Sequence, residues 1–137
     1  MLFEDIESIK KLTIEQKTKL LNSNNRYKLK SGLHRSNMML NPLNLKHLNQ
    51  LDILEADAVT LNLEDAIAPT RKKEALLNIA LALSKLKKTN SEIIIRVNQL
   101  NKGGLEEIKF LKDFCFNAVN LSSMEYRSHS FTRFLLG

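Results

Sequence analysis

The strongest constraint on this chain is a run of three β-branched residues, Ile93-Ile94-Ile95, leading into Arg96-Val97-Asn98. A strand without polar alternation is one covered on both faces, and such strands belong to parallel sheets. Parallel neighbours need a crossover of a dozen or more residues, and one stands just upstream. Thr70 to Lys88 places Ala75, Ile79, Ala82, Leu83 and Leu86 along one side of a helix and lysines on the other. Before it, residues 58–63 read as a strand that ends in Glu64-Asp65 and is closed by Ala68-Pro69, where proline stops a strand and opens a helix. Leu54 to Asn98 is therefore one βαβ unit. Parallel strands present their carboxyl ends to the same side of a sheet, so Glu64, Asp65 and Arg96 are expected to converge there.

The same alternation extends in both directions. A short strand at Met38 to Leu40 is broken by Asn41-Pro42 and followed by a helix from about Leu45 to Leu54. Gly103-Gly104 marks a turn or helix start rather than a phosphate loop. A helix from Leu105 to about Phe114 and a fourth strand near Ala118 to Leu121 follow. Residues 1–32 read as an N-terminal helical extension with Ile6, Ile9, Leu12, Ile14 and Leu20 as candidate inward positions. Residues 33–121 read as a half-barrel domain, and 122–137, with four serines, a threonine and neither clean period, as an irregular tail. The expected class is α/β, a partial (β/α)8 TIM barrel of about four parallel strands with crossover helices.

Composition narrows the function classes. A chain of 137 residues suits one domain, and its apolar content suits a modest core. The net charge of +6 is spread among acids rather than gathered into a stripe. Its densest part, Arg26 to Arg35, lacks the interleaved aromatics of a single-strand binder, so no nucleic-acid partner is expected. No apolar run approaches the ~20 residues that span a bilayer, and the acidic N-terminus is unlike a secretory signal, so no membrane partner and a cytoplasmic location are expected. Cys115 is the only cysteine and reads as a small buried hydrophobe. His34, His47 and His129 share no metal-ligand spacing.

Four features fall at carboxyl ends of expected strands: Asn41-Pro42, Glu64-Asp65, Arg96 with Asn98, and Glu125 just beyond the fourth strand. An acidic pair alone could be a solvated turn. Arg96 is more telling, because a guanidinium ending a buried strand incurs desolvation unless it meets a carboxylate or phosphate. A structural ion pair between Arg96 and Glu64 and a site for an anionic substrate remain the two alternatives.

At these residues the chain resembles the citrate lyase β-subunit family of aldolases and lyases. Arg35-Ser36 opens the first strand, residues 56–69 match an A-D-A-V-I-L-D-L-E-D-A-V-A-P pattern, Lys72 or Lys73 follows, and Arg96-Val97-Asn98 matches V-R-V-N. The resemblance covers roughly residues 33–125. It implies a Mg²⁺-dependent carbon–carbon lyase acting on a small acid or CoA thioester, such as citryl-CoA cleaved to acetyl-CoA and oxaloacetate. It implies Glu64 and Asp65 as catalytic acids near the metal, Arg96 and Asn98 as substrate-binding residues, and Glu125 as a metal ligand. The chain departs from the pattern at Asn62, where the family has an acid, at Asn41-Pro42, where it has Pro-Gly, and at Ser122-Ser123, where it has Pro-Lys. A full barrel takes about 250 residues and eight strands. The family's second metal ligand, in a later G-x-x-D-L motif, is expected beyond Gly137. A truncated, catalytically inactive relative acting as an interaction module is the alternative, and exposed sheet edges suggest a homo-oligomer.

Overall fold

A computed structural model describes residues 1–32, 34–64, 67–122 and 124–128. Five strands form one sheet in the order β1-β2-β3-β4-β5: β1 (Asn37–Leu40), β2 (Ala58–Asn62), β3 (Glu92–Arg96), β4 (Ala118–Leu121) and β5 (Met124–Arg127). The first four are parallel, with Asn62 paired to Arg96 and Arg96 to Asn120. The sheet is open, as expected for part of a barrel.

The crossovers are α3 (Leu45–Leu48), α4 (Lys72–Lys85) and α5 (Gly104–Leu111). Alternation along the strands sends Val59, Leu61, Ile93, Ile95 and Val119 to one face, where they join Leu48, Ile79, Leu83, Ile108 and Leu111 of the helices in the main core. The opposite face buries only a small cluster, Ala58, Ile94 and Ala118. Along the same alternation it carries Thr60, Asn62, Glu92, Arg96 and Asn120. This face is polar where the helix-covered face of the sheet is apolar.

The N-terminal extension folds as two short helices, α1 (Ile6–Lys10) and α2 (Ile14–Lys19), with Thr13 and Gln16 forming a capping box at the start of the second. The break at Thr13 resets the helical phase, which overturns two expected inward positions. Ile14 and Leu20 are 39% and 43% exposed, while Lys17 is buried and donates to Asn78 Oδ1 at 2.7 Å. Since α2 packs on α4, the latter buries Leu77, Ala80 and Leu81 as well as the expected Ala75, Ile79 and Ala82. A single apolar stripe was the expectation for an outermost helix; this one is sandwiched.

The expected helix from Leu45 ends at Leu48 and gives way to turns, and Met124–Arg127, within the stretch read as irregular, forms β5. It returns antiparallel to β4 through a two-residue loop in which Ser122 adopts φ 57°, pairing Val119 with Tyr126 and Asn120 with Glu125. Gly103 takes φ 100°, and a Cβ on Gly104 would lie 1.9 Å from Asn98 O, so the glycine pair is a turn with close backbone approach. No helix among the described residues is long and apolar enough to cross a membrane.

Candidate active site

Arg96 is the last residue of β3, and Glu64 lies two residues beyond β2, its parallel neighbour. The two side chains meet there: Arg96 Nη2 is 2.7 Å and Nε 2.9 Å from Glu64 Oε1. Both remain partly open, with Arg96 31% and Glu64 22% exposed at the side chain. Arg96 meets Glu64 through one of its carboxylate oxygens at a solvent-reachable strand end, and a guanidinium so placed can take another carboxylate there.

A buried network beneath the pair holds the strand ends together. Asn98 Nδ2 donates to Glu107 Oε2 at 2.6 Å and to Leu63 O at 3.2 Å, and its backbone N–H donates to Glu107 Oε1 at 2.9 Å. Lys72, at the start of α4, donates from Nζ to Asn98 Oδ1 at 2.6 Å, to Leu63 O at 3.1 Å and to Glu64 O at 3.3 Å. Asn98 and Lys72 thus tie the loop carrying Glu64 to α5 and to the segment after β3. Burial pushes the Glu107 carboxyl above the usual carboxylate range, against the lowering effect of its bonds to Asn98 and of nearby Lys72.

The structure brings Glu64 and Arg96 into contact and places Asn98 next to them, facing inward rather than toward solvent. Asp65 lies outside the described residues, as does His129. Glu125 sits in β5 opposite Asn120, one strand beyond the neighbour of Arg96, and its Oε2 is 3.0 Å from Arg127 Nη2. Asn120 Oδ1, in the same row, is buried with no hydrogen-bond partner. Lys72 appeared in the sequence only as part of a motif; its role depends on Asn98 and Glu107, which no local spacing connects to it.

Among the described residues no three acidic, histidine or cysteine side chains gather in an arrangement able to hold a metal; Glu64 meets Arg96 and Glu125 meets Arg127.

An open, mostly parallel sheet with its crossover helices packed on one face has the architecture of part of a (β/α)8 barrel. Residues 35–126 match the model of the HpcH/HpaI aldolase/citrate lyase family, and the chain belongs to that family. No curated protein matches it.

Proposed function

We propose that this chain binds a small carboxylic acid at the carboxyl end of the sheet and acts there as a carbon–carbon lyase of the aldolase/citrate lyase type. The carrying observation is the Arg96–Glu64 pair, half-open at the ends of adjacent parallel strands. Arg96 exchanges Glu64 for a carboxylate of the substrate, and the freed Glu64 carboxylate, beside Asp65 in sequence, is the proton acceptor for a hydroxyl whose loss of a proton begins retro-aldol cleavage. The positive charge of Arg96 stabilises the anion that forms. Within this reading the substrate is a hydroxy acid or its CoA thioester, with citryl-CoA yielding acetyl-CoA and oxaloacetate. The family suggests the reaction class.

The test is calorimetry with oxalate, a planar dicarboxylate, followed by an oxaloacetate-release assay with citryl-CoA. Oxalate binding that disappears in Arg96→Ala, together with oxaloacetate release, supports the proposal. Binding without release leaves a silent site, and absence of binding overturns the carboxylate-site reading.

A second reading, an interaction module that pairs with itself, is favoured by one observation. Met38 and Met39 on β1, an edge strand, are 40% and 51% exposed. An apolar edge invites a further strand. Sedimentation should show concentration-dependent association that Met39→Lys reduces; a monomer at all concentrations excludes this reading.

A further inference from the structure

At the end of the sheet opposite Glu64 and Arg96, two segments face one another across a groove of about 450 Å³. One wall is the extended strap before β1, with Lys28, Leu29, Lys30 and Ser31; the other follows α4, with Lys87 and Lys88. The strap has no helix or strand of its own, yet it is anchored. Asn25 Nδ2 donates to Leu83 O and Leu86 O, both at 2.7 Å, Tyr27 is buried with its hydroxyl donating to Cys115 O at 2.7 Å, and Lys30 O accepts from Asn117 Nδ2 at 2.7 Å. Past buried Tyr27 the strap leaves Lys28, Leu29 and Lys30 all exposed.

The four lysines make no ion pair with a described residue; of the acids nearby, Asp57, Glu92 and Asp52 are already engaged, and Glu4 lies with Lys87 and Lys88 in the adjoining hollow, outside the groove wall. Asp57 Oδ2 accepts the backbone N–H groups of Arg35 and Ser36, and Glu92 is held by His34 and Arg127. Asp52, beyond Lys87 and Lys88, is paired with the N-terminal amine at 3.1 Å. Arg26 spends its guanidinium on three backbone carbonyls and stays out of the groove. Four ammonium groups around one concavity, with the Ser31 hydroxyl beside them and no acid in its wall, repel one another until an anion enters.

We propose that this groove is a second ligand site, distinct from the carboxyl-end pair, and that it takes a small molecule carrying two or more linked phosphates. A di- or triphosphate offers separate anionic groups to the lysines of each wall. The apolar side chain of Leu29, 39% exposed, offers a surface for the organic part of such a ligand. A groove of this size suits a small ligand, and no aromatic side chain lines it for base stacking, which sets it apart from a single-strand nucleic-acid channel.

The test is calorimetry on the full chain at physiological salt with inorganic triphosphate, then ATP, then a uridine dodecamer. Saturable one-to-one binding of triphosphate is expected, with at least tenfold weaker affinity in Lys87→Ala/Lys88→Ala and in Lys28→Ala/Lys30→Ala. Lys46→Ala/Lys109→Ala removes the same charge elsewhere and should change affinity less than twofold. All six side chains are exposed, so the variants should keep the parent's thermal melt. Equal weakening in the control pair, absence of triphosphate binding, or preference for the dodecamer would overturn the proposal.

Discussion

The two ends of the sheet each hold a carboxylate against a guanidinium, and they differ in how many partners each acid has. At the amino end Glu92 is 1% exposed and is met by His34, Arg127 and, at 3.5 Å, Asn117 Nδ2. At the carboxyl end Glu64 is 22% exposed at the side chain, and the partner its side chain shows is Arg96. A buried carboxylate with several donors is a fixed part of the fold, since removing any one of them leaves the others. A half-open carboxylate held by one guanidinium can be displaced. Similar residue types thus form a rigid closure at one end and an exchangeable pair at the other.

The largest expected effect comes from the support beneath the exchangeable pair. Asn98→Ala removes the donor to Glu107 and Leu63 and the acceptor for Lys72 within a buried network, and should lower unfolding free energy by about 3 kcal/mol. Urea unfolding measures it; a loss comparable to that of an exposed-residue substitution would mean that the network contributes nothing to holding the strand ends. At the amino end Glu92→Gln keeps the shape and loses the charge. Because Arg127 and His34 are partly exposed and can turn to water, about 1–2 kcal/mol is expected rather than the full cost of a broken buried pair.

The same network makes a pH prediction. Burial raises the Glu107 pKa above its unfolded value, so between those two values the folded state binds more protons than the unfolded one. The Glu107 contribution to stability is therefore greatest at low pH and declines as pH climbs upward from the ordinary carboxylate range. In Glu107→Gln that decline should be absent, and the stability difference between variant and parent should shift in the variant's favour from pH 4 to pH 7. Denaturation across that range with a constant difference would show that Glu107 is ordinary.

Much of this was legible in the sequence, and the missing parts share a cause. The βαβ unit and its carboxyl-end convergence followed from local signals: a proline closing the segment after β2, a helical period for α4 and an apolar run for β3. Parallel pairing places Glu64 and Arg96 at one end of the sheet, and of the two alternatives left open there the structure shows the ion pair. The Glu92 closure joins residues 34, 92 and 127, which no periodicity links, so its burial appears only once the sheet is assembled. β5 was missed for a similar reason. Met-Glu-Tyr-Arg alternates over only four residues, too short a pattern to stand out, and is a strand because β4 offers it an edge and Ser122 accepts a left-handed turn. Lys17 was not among the expected inward positions; packing of α2 on α4 and the amide of Asn78 bury it.

The smallest stability effect should fall on the exchangeable pair itself. Arg96 and Glu64 are both partly solvated, so Glu64→Gln should change unfolding free energy by no more than about 0.5 kcal/mol. Its effect on ligand binding is more informative, because Glu64 occupies the guanidinium that a substrate carboxylate would need. Neutralising Glu64 removes that competitor, and oxalate should bind Glu64→Gln more tightly than the parent, while Arg96→Ala should bind it not at all. Tighter binding combined with lost oxaloacetate release would separate the two duties given to Glu64, restraining Arg96 in the free protein and accepting a proton in the reaction. Unchanged binding in Glu64→Gln would mean that the pair does not open, and the carboxyl end would then be as rigid a closure as the amino end.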